Sequence, residues 1–338
     1  MYRKKSCLFT GMTDLLYTQT TITEERRKGF RMKRQKRLSR KQEFKKNYQL
    51  YLFLLPAVVS VFLFNYLPMY GIQIAFKDFK PAKGVLGSEW VGMKWFDRFF
   101  SSFQFNEVLS NTLLLSVLLL LCSFPVPIIF ALLVNQYKEG KFRRTLQTVS
   151  YAPHFISTVV MVGMVVLFLS PSAGLYGTVV RMLGGDPRNI LGEAAMFRPI
   201  YILSDIWQHT GWDSIIYLAA LSAVSQDLYD AAKVDGAGRL KRMWYIELPA
   251  LKETAVVLLI LRLGSIMSMG FEKTYLLQNN LNLATSEIIA TYVYKVGLTG
   301  TPQYSYSAAI GVFNSLVNVI LIVTFNKISK KVNGSGLW

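Results

Sequence analysis

Apolar positions in this chain come in long runs. Six stretches, at 48–70, 111–134, 149–170, 199–222, 255–276 and 307–326, carry few charges and show no strand alternation. Each approaches the ~20 residues a helix needs to cross ~30 Å of hydrocarbon. They predict six membrane-spanning helices, since a backbone in lipid must satisfy its own hydrogen bonds and each run is far longer than a barrel strand. The fourth run is the most polar, with Asp205, Gln208, His209 and Asp213. Between the runs the chain is polar and rich in Gly and Pro, as loops are.

The most structured of these polar stretches is 229–249, between runs four and five. Asp230-Ala231-Ala232-Lys233-Val234-Asp235 predicts a short helix that stops at Gly236. A second amphipathic helix is expected over 240–246, with Leu248-Pro249 ending it and letting the next span start at a new angle. The result is a helix–turn–helix small enough to stand on a membrane surface.

Composition sharpens this picture through charge. The 338 residues are 52% hydrophobic and carry a formal charge of +18. Lys and Arg crowd the first 47 residues. They recur at Lys138, Lys141, Arg143 and Arg144, at Lys233, Arg239, Lys241, Arg242 and Lys252, and at Lys327, Lys330 and Lys331. The remaining loops mix signs, so both termini and the helix–turn–helix are expected on the cytoplasmic side. Attraction to anionic headgroups accounts for the basic residues, and without a nucleic-acid fold signature no nucleic-acid partner is expected. The division follows: 1–47 a basic cytoplasmic tail, 48–327 the spanning domain with its cytoplasmic loop at 223–254, and 328–338 a short cytoplasmic tail. Residues 1–31 lack apolar periodicity, and Met32 opens a stretch typical of a chain start. They are expected to be disordered, or to precede a native start at Met32. Cys7 and Cys122 are too far apart to form a disulfide framework, and no cleavable signal peptide is read ahead of the first run.

Several chemistries are absent. There is no G-x-x-x-x-G-K-[ST] phosphate loop and no G-x-S-x-G. His154 and His209 are the only histidines, without H-E-x-x-H or Cys/His spacing, so no metal site is expected. A membrane enzyme using Asp205 and Asp213 would have its carboxylates about 12 Å apart along a helix.

The spacing Asp230-Ala231-Ala232, three residues, Gly236-Ala237, eight residues, Ile246, one residue, Leu248-Pro249 resembles the E-A-A loop of permease subunits of binding-protein-dependent ABC importers. Asp230 stands where that family usually has Glu, and Glu253 where a proline is common. Tyr151-Ala152-Pro153-His154-Phe155-Ile156-Ser157, Trp207, Gly211-Trp212, Tyr217-Leu218-Ala219-Ala220, Gly270-Phe271-Glu272, Thr291-Tyr292-Val293-Tyr294 and the Gly-Leu-Trp end at Trp338 are similar to its oligosaccharide branch, which includes alginate-type importers. The resemblance covers about residues 45–338. It implies an all-α integral membrane protein of six spans with a cytoplasmic coupling helix, in a bacterial cell membrane. It also implies a second permease subunit, two ATPase subunits holding ATP and Mg, and an extracytoplasmic solute-binding lipoprotein. The coupling residues carried over are Asp230, Ala231, Ala232, Asp235, Gly236, Ala237, Ile246, Leu248 and Pro249. Physically, small alanines permit close helix contact and Gly236 a tight turn, while Trp244, Tyr245 and Ile246 offer an apolar face to a groove. The bland alternative is a loop lying on headgroups.

Polar groups inside spans are costly and should face the bundle interior or a wet cavity. Asp205, His209 and Asp213, four apart, share a helix face. With Trp207, Gln208, Trp212 and Glu272 they form a candidate sugar path; Asn314 and Asn318 are weaker members. The alternative has Asp205 at the outer boundary, His209 satisfying a neighbouring helix, and the tryptophans as interfacial anchors. Asn111 reads as a helix cap, and His154 as the maker of a structural hydrogen bond. Trp95, Phe99 and Phe103, four apart, predict an interfacial helix lying flat with its aromatic stripe toward lipid and Asp97 and Arg98 on the other side. With Arg262 counted as the only cation in the spans, a neutral glycan is favoured.

The function read here is passage of an oligosaccharide into the cell by alternating access, with no covalent chemistry in this chain. The competing reading, a stand-alone secondary transporter or channel, would need coupling-ion carboxylates and internal repeats. Span four supplies two carboxylates, but no repeat accompanies them.

Overall fold

A computed structural model describes residues 47–264 and 270–333. The basic tail before residue 47, including Cys7 and Met32, residues 265–269 of the fifth run, and the Gly-Leu-Trp end lie outside the described residues. The chain divides into two compact units, Met1–Tyr70 and Gly71–Trp338.

In the first unit, helix α1 (Tyr48–Val61) is apolar on every side and buries no residue within the chain, the pattern of a helix whose surroundings are lipid or other subunits. Its continuation widens into a π turn at Phe62–Tyr66, where Leu67 N–H donates to Phe62 O. Pro68 follows. A proline ring in a straight α-helix clashes with the carbonyl four residues back, and the wider turn makes room for it.

The second unit contains a two-stranded antiparallel ribbon, β1 (Lys77–Asp78) with β2 (Glu89–Trp90). Besides the short turns Gly84–Gly87 and Leu283–Ser286, its α-helices are α2 (Lys94–Phe100), α3 (Phe103–Ser123), α4 (Pro125–Asn135), α5 (Lys141–Tyr151), α6 (Thr158–Phe168), α7 (Leu175–Met182), α8 (Ala194–Ser222), α9 (Gln226–Val234), α10 (Arg239–Arg242), α11 (Leu248–Gly264), α12 (Phe271–Leu277), α13 (Ile289–Leu298) and α14 (Tyr304–Asn333). Among the described residues, Tyr48–Phe76, Phe103–Asn135 and Tyr304–Ile328 are helices long and apolar enough to cross a membrane.

Three predicted runs differ from straight spans. Run three is two helical segments, Lys141–Phe155 and Thr158–Phe168, bent by 100°. Ser157 starts the second by accepting Val160 N–H at 3.4 Å, as an N-cap does. Run four becomes a single 29-residue helix, α8, about 44 Å long at 1.5 Å per residue. Run five is described as α11 as far as Gly264, and is interrupted at Gly270, whose φ is +82°, before α12 opens at Phe271. A Cβ on Gly270 would lie 2.2 Å from the Tyr201 hydroxyl, so both backbone conformation and space call for glycine there.

Helix α8 is the axis of the unit. One end joins Leu115, Leu119, Met161, Val162 and Leu277 in a core through Phe197, Tyr201 and Ile202. The other packs Tyr217, Leu218 and Leu221 against Ala131, Leu132 and Leu251. A third core gathers Phe99, Val108, Leu263, Ile289, Tyr292, Tyr306 and Ile310.

That third core corrects the flat aromatic helix. Phe99 is fully buried and packs edge-on to Phe313 at 5.6 Å, so it does not face lipid. Helix α2 ends at Phe100, which breaks the stripe before the exposed Phe103. Trp95 is tied down, its Nε1 donating to Lys77 O at 3.0 Å. Arg98 lies over the Trp95 and Tyr306 rings rather than opposite the stripe.

Helices α8 and α5 cross at Gly211, where a Cβ would sit 2.0 Å from Ser150 O. Gly211→Ala should therefore destabilise the protein by about 1–3 kcal/mol through overpacking. Gly311→Ala, on the open flank of α14, should be neutral or stabilising by up to about 1 kcal/mol, the helix-propensity gain. Thermal midpoints of the two variants in one detergent check the opposite signs.

Candidate functional site

Two regions carry the polar groups that packing does not explain. The first is a cavity of about 430 Å³ between α8, α12 and the ends of α6 and α11, lined in part by Asp205, Gln208, His209, Asp213, Arg262, Glu272 and Lys273. Asp205, His209 and Asp213 face it together, as their spacing of four requires. His209 Nδ1 lies 3.4 Å from Asp205 Oδ1. Lys273 Nζ is 3.5 Å from the same oxygen, donates to Tyr201 O at 3.1 Å, and sits 4.5 Å from the Tyr201 ring centre. Arg262 forms an ion pair with Asp213. An opposite charge at Asp205 and at Asp213 offsets much of the cost of holding these two carboxylates away from water.

The other sequence candidates divide. Gln208 is buried and lines the cavity, but its Nε2 donates to Ile156 O at 2.9 Å, satisfying the carbonyl exposed by the break between α5 and α6. Trp207, two residues from both Asp205 and His209, points to the opposite face of α8, into an apolar groove with Met161, Met164 and Phe168. Trp212 lines a neighbouring apolar cavity of about 710 Å³ that shares Asp213 and Arg262. Asn314 and Asn318 do not line the polar cavity. His154 departs from its expected role. Its ring stacks on Trp212 at 4.5 Å and 1°, and its Nδ1 is buried without a hydrogen-bond partner. Asn111 is no cap; it lies within α3, where its Nδ2 donates to Ala284 O and Glu287 O and its Oδ1 accepts from Arg198. Lys273 was missed although it stands inside run five, beside Glu272. With it the cavity has two cations, which removes the ground for favouring a neutral glycan.

The second region is the hairpin of α9 and α10. Ser225 opens α9 by accepting Asp227 N–H. Its end is a Schellman turn: Ala237 N–H donates to Ala232 O at 2.8 Å and Gly236 N–H to Lys233 O at 3.0 Å, with Gly236 at φ +73°. Asp230 is exposed, and hydrogen bonds from Lys233 and then Gln226 hold its carboxyl below the usual range. Val234, Leu240, Trp244 and Tyr245 are exposed, Tyr245 by 81%, while Ile246 is half-buried.

Pro249 does not end the second helix. Residues Arg239–Arg242 run through a π turn at Met243–Glu247 into α11 without interruption, and Leu248 N–H donates to Met243 O. This is the arrangement seen before Pro68: a widened turn absorbs the proline that a straight α-helix would reject.

Glu247, also missed, is 2% exposed. It accepts from Asn135 Nδ2 at 3.0 Å and from Gln136 Nε2 at 3.0 and 2.9 Å. Burial, and the Glu247 carboxylate nearby, push the Tyr229 hydroxyl pKa up. A polar cavity of about 570 Å³ lies between residues 135–143 and this hairpin.

Comparison with known proteins agrees with this geometry. Residues 123–334 match the family described as binding-protein-dependent transport system inner membrane component. The chain is 47% identical over 289 residues to the polygalacturonan/rhamnogalacturonan transport system permease protein YteP of Bacillus subtilis (strain 168), covering 86% of this chain and 90% of that protein. It is 45% identical over 294 residues to protein LplB of the same organism, covering 87% and 92%. It is similar to a chain in the crystal structure of a bacterial alginate ABC transporter in complex with an alginate pentasaccharide-bound periplasmic protein. There the TM-score is 0.80 at 39% identity, over 87% of this chain and 98% of that one.

Lys273→Met leaves Asp205 with His209 alone. It should lower stability by up to about 3 kcal/mol, the lower end for breaking a buried pair because Asp205 is half-buried. Adding Asp205→Asn should restore most of the loss. Thermal midpoints of the single and double variants test the pairing, and equal midpoints for both would refute it.

Proposed function

Because the chain belongs to the binding-protein-dependent transport system inner membrane components, we propose how its parts divide the work of importing an oligosaccharide. The protein is a permease subunit of a carbohydrate ABC importer. ATP is hydrolysed by partner ATPases, and this chain does no covalent chemistry. Six spans cross a bacterial cytoplasmic membrane: the α1 segment, α3 with α4, α5 with α6, α8, α11 with α12, and α14. Both termini and the α9–α10 hairpin face the cytoplasm, consistent with the basic residues around the polar cavity between 135–143 and the hairpin. A second permease subunit completes the passage, two ATPases grip the hairpins, and an extracytoplasmic binding protein delivers the cargo.

The observation that carries this reading is the hairpin itself. A glycine-capped helix pair with apolar side chains exposed at its tip, joined without a break to α11, is a lever. ATP-driven closure of the ATPases displaces it, and the spans exchange inward-open for outward-open arrangements. Asp230, with its charge already met by Lys233 in solvent, contributes little as an ion pair. The grip is assigned to the small and apolar residues Ala231, Ala232, Val234, Leu240, Trp244 and Tyr245.

The cavity around Asp205, His209, Asp213, Glu272 and Lys273 forms part of the sugar path. Its cargo is a carboxylate-bearing oligosaccharide. Lys273 and Arg262 support this, as do the polygalacturonan/rhamnogalacturonan permease and the alginate importer among the similar proteins. Both cations are paired with aspartates, so a uronate would share them rather than meet free charges.

Gly236→Pro removes the turn's N–H and forbids its positive φ. The variant should insert normally yet fail to co-purify with the ATPases and lose uptake, and normal uptake would defeat the assignment. In proteoliposomes carrying the whole importer, free uronic-acid oligomers should be taken up in preference to their methyl esters. Equal uptake would remove the acidic cargo from the proposal.

A further inference from the structure

Glu247 is a buried carboxylate in a place where the packing asks for none. Its neighbours Ile246 and Leu248 are half-buried apolar residues, and the turn it closes would form with any side chain. Its hydrogen bonds come from the neutral amides of Asn135 and Gln136. Taking a carboxylate out of water is costly unless its oxygens are met by well-placed donors, and charge-assisted bonds of this kind are roughly twice as strong as neutral ones. Such a group holds two elements in one relative position.

The elements it joins are 111 and 112 residues apart in sequence. Glu247 ends the π turn between α10 and α11, a turn whose i to i−5 bonding is looser than an α-turn. Asn135 is the last residue of α4 and Gln136 its C-cap. The same Gln136 Nε2 also reaches Leu132 O at 3.5 Å, so the amide is anchored to its own helix while it grips the carboxylate. Helix α4 continues α3 as one apolar run, Phe103–Asn135, whose buried side chains enter the cores around α8.

We propose that Glu247 is a positioning residue that clamps the hairpin to the end of α4, so that a displacement of the hairpin carries the α3–α4 span with it. This rests on the reading that the hairpin is gripped by the ATPases. Chain connection ties the hairpin to α8 and α11; the clamp adds the α3–α4 span. The contact is specific in geometry. In the exchange Gln136→Glu with Glu247→Gln, the new amide donates to the new carboxylate, and its oxygen still accepts from Asn135 Nδ2.

The test uses the assembled importer in proteoliposomes. Q136E places two carboxylates together and should reduce stimulated ATP turnover and uptake by at least about fivefold, the low end of allosteric coupling. The exchange E247Q/Q136E should recover most of that loss. Uptake at the wild-type level in an assembled Q136E complex overturns the clamp and leaves docking intact. ATPases that co-purify normally with Gly236→Pro overturn docking itself. A measurement on the otherwise unaltered protein does not depend on how the variants fold. Spin labels at the exposed Tyr137 and Lys241 should keep their separation when ATP binds. A change of about 5 Å, one helical turn, would show that hairpin and α4 move apart and would overturn the proposal.

Discussion

A backbone carbonyl or N–H left unpaired inside lipid costs several kcal/mol, and the polar side chains of this bundle are placed largely to prevent that. A break in a helix opens carbonyls, and at several described breaks a side chain from elsewhere closes them. Gln208 reaches Ile156 O where α5 bends into α6. Asn111 reaches Ala284 O and Glu287 O where the chain turns toward α13, and Thr112 Oγ1 accepts from Ile289 N–H at 2.9 Å. Asn282 donates to Leu191 O and Leu277 O and accepts from Ser286. The polar residues of the spans thus fall into two groups: those engaged with backbone, and those engaged with one another around a cavity.

This division shows what was legible in the sequence. The apolar runs located the three helices that, among the described residues, are long and apolar enough to cross a membrane, because length and hydropathy are local properties. The positions of the breaks were less legible. Pro153 and Gly270 were visible, but whether the chain bends at them depends on Gln208 and Tyr201 across the interface. The shared face of Asp205, His209 and Asp213 followed from the helical period, and the same period puts Trp207 on the reverse face. The carbonyl contacts of Gln208 and Asn111 were not legible, because a side-chain amide reads the same whatever it bonds. Lys273 was overlooked although a lysine inside an apolar run is the kind of residue that marks a site.

The two proline-bearing helices show a second limit. Leu248-Pro249 predicts a helix end from local rules, yet the helix continues through it after one π turn, as it does at Leu67-Pro68. A break would have been a flexible joint between the hairpin and α11, and a lever with such a joint transmits little. The widened turn accommodates the proline ring while keeping the helix continuous. It also leaves the segment under-tied by backbone bonds, and it is there that Glu247 provides a side-chain tie.

Rigidity and looseness are therefore distributed along one path. From the exposed Leu240 on α10, through the π turn, to the pairs Asp213–Arg262 and Asp205–Lys273, the chain alternates regular helix with positions held by a few polar contacts. Regular helices transmit displacement without changing shape, whereas small polar clusters have alternative partners and can rearrange. Arg262 lies on α11 about four turns past its start at Leu248, at 3.6 residues per turn, and its partner Asp213 lies on α8, the axis of the unit. A shift of α11 relative to α8 strains that pair first, at the boundary of the polar cavity and the neighbouring apolar one that share it. The fold thus places an ion pair where two cavities meet, on the helix into which the hairpin continues.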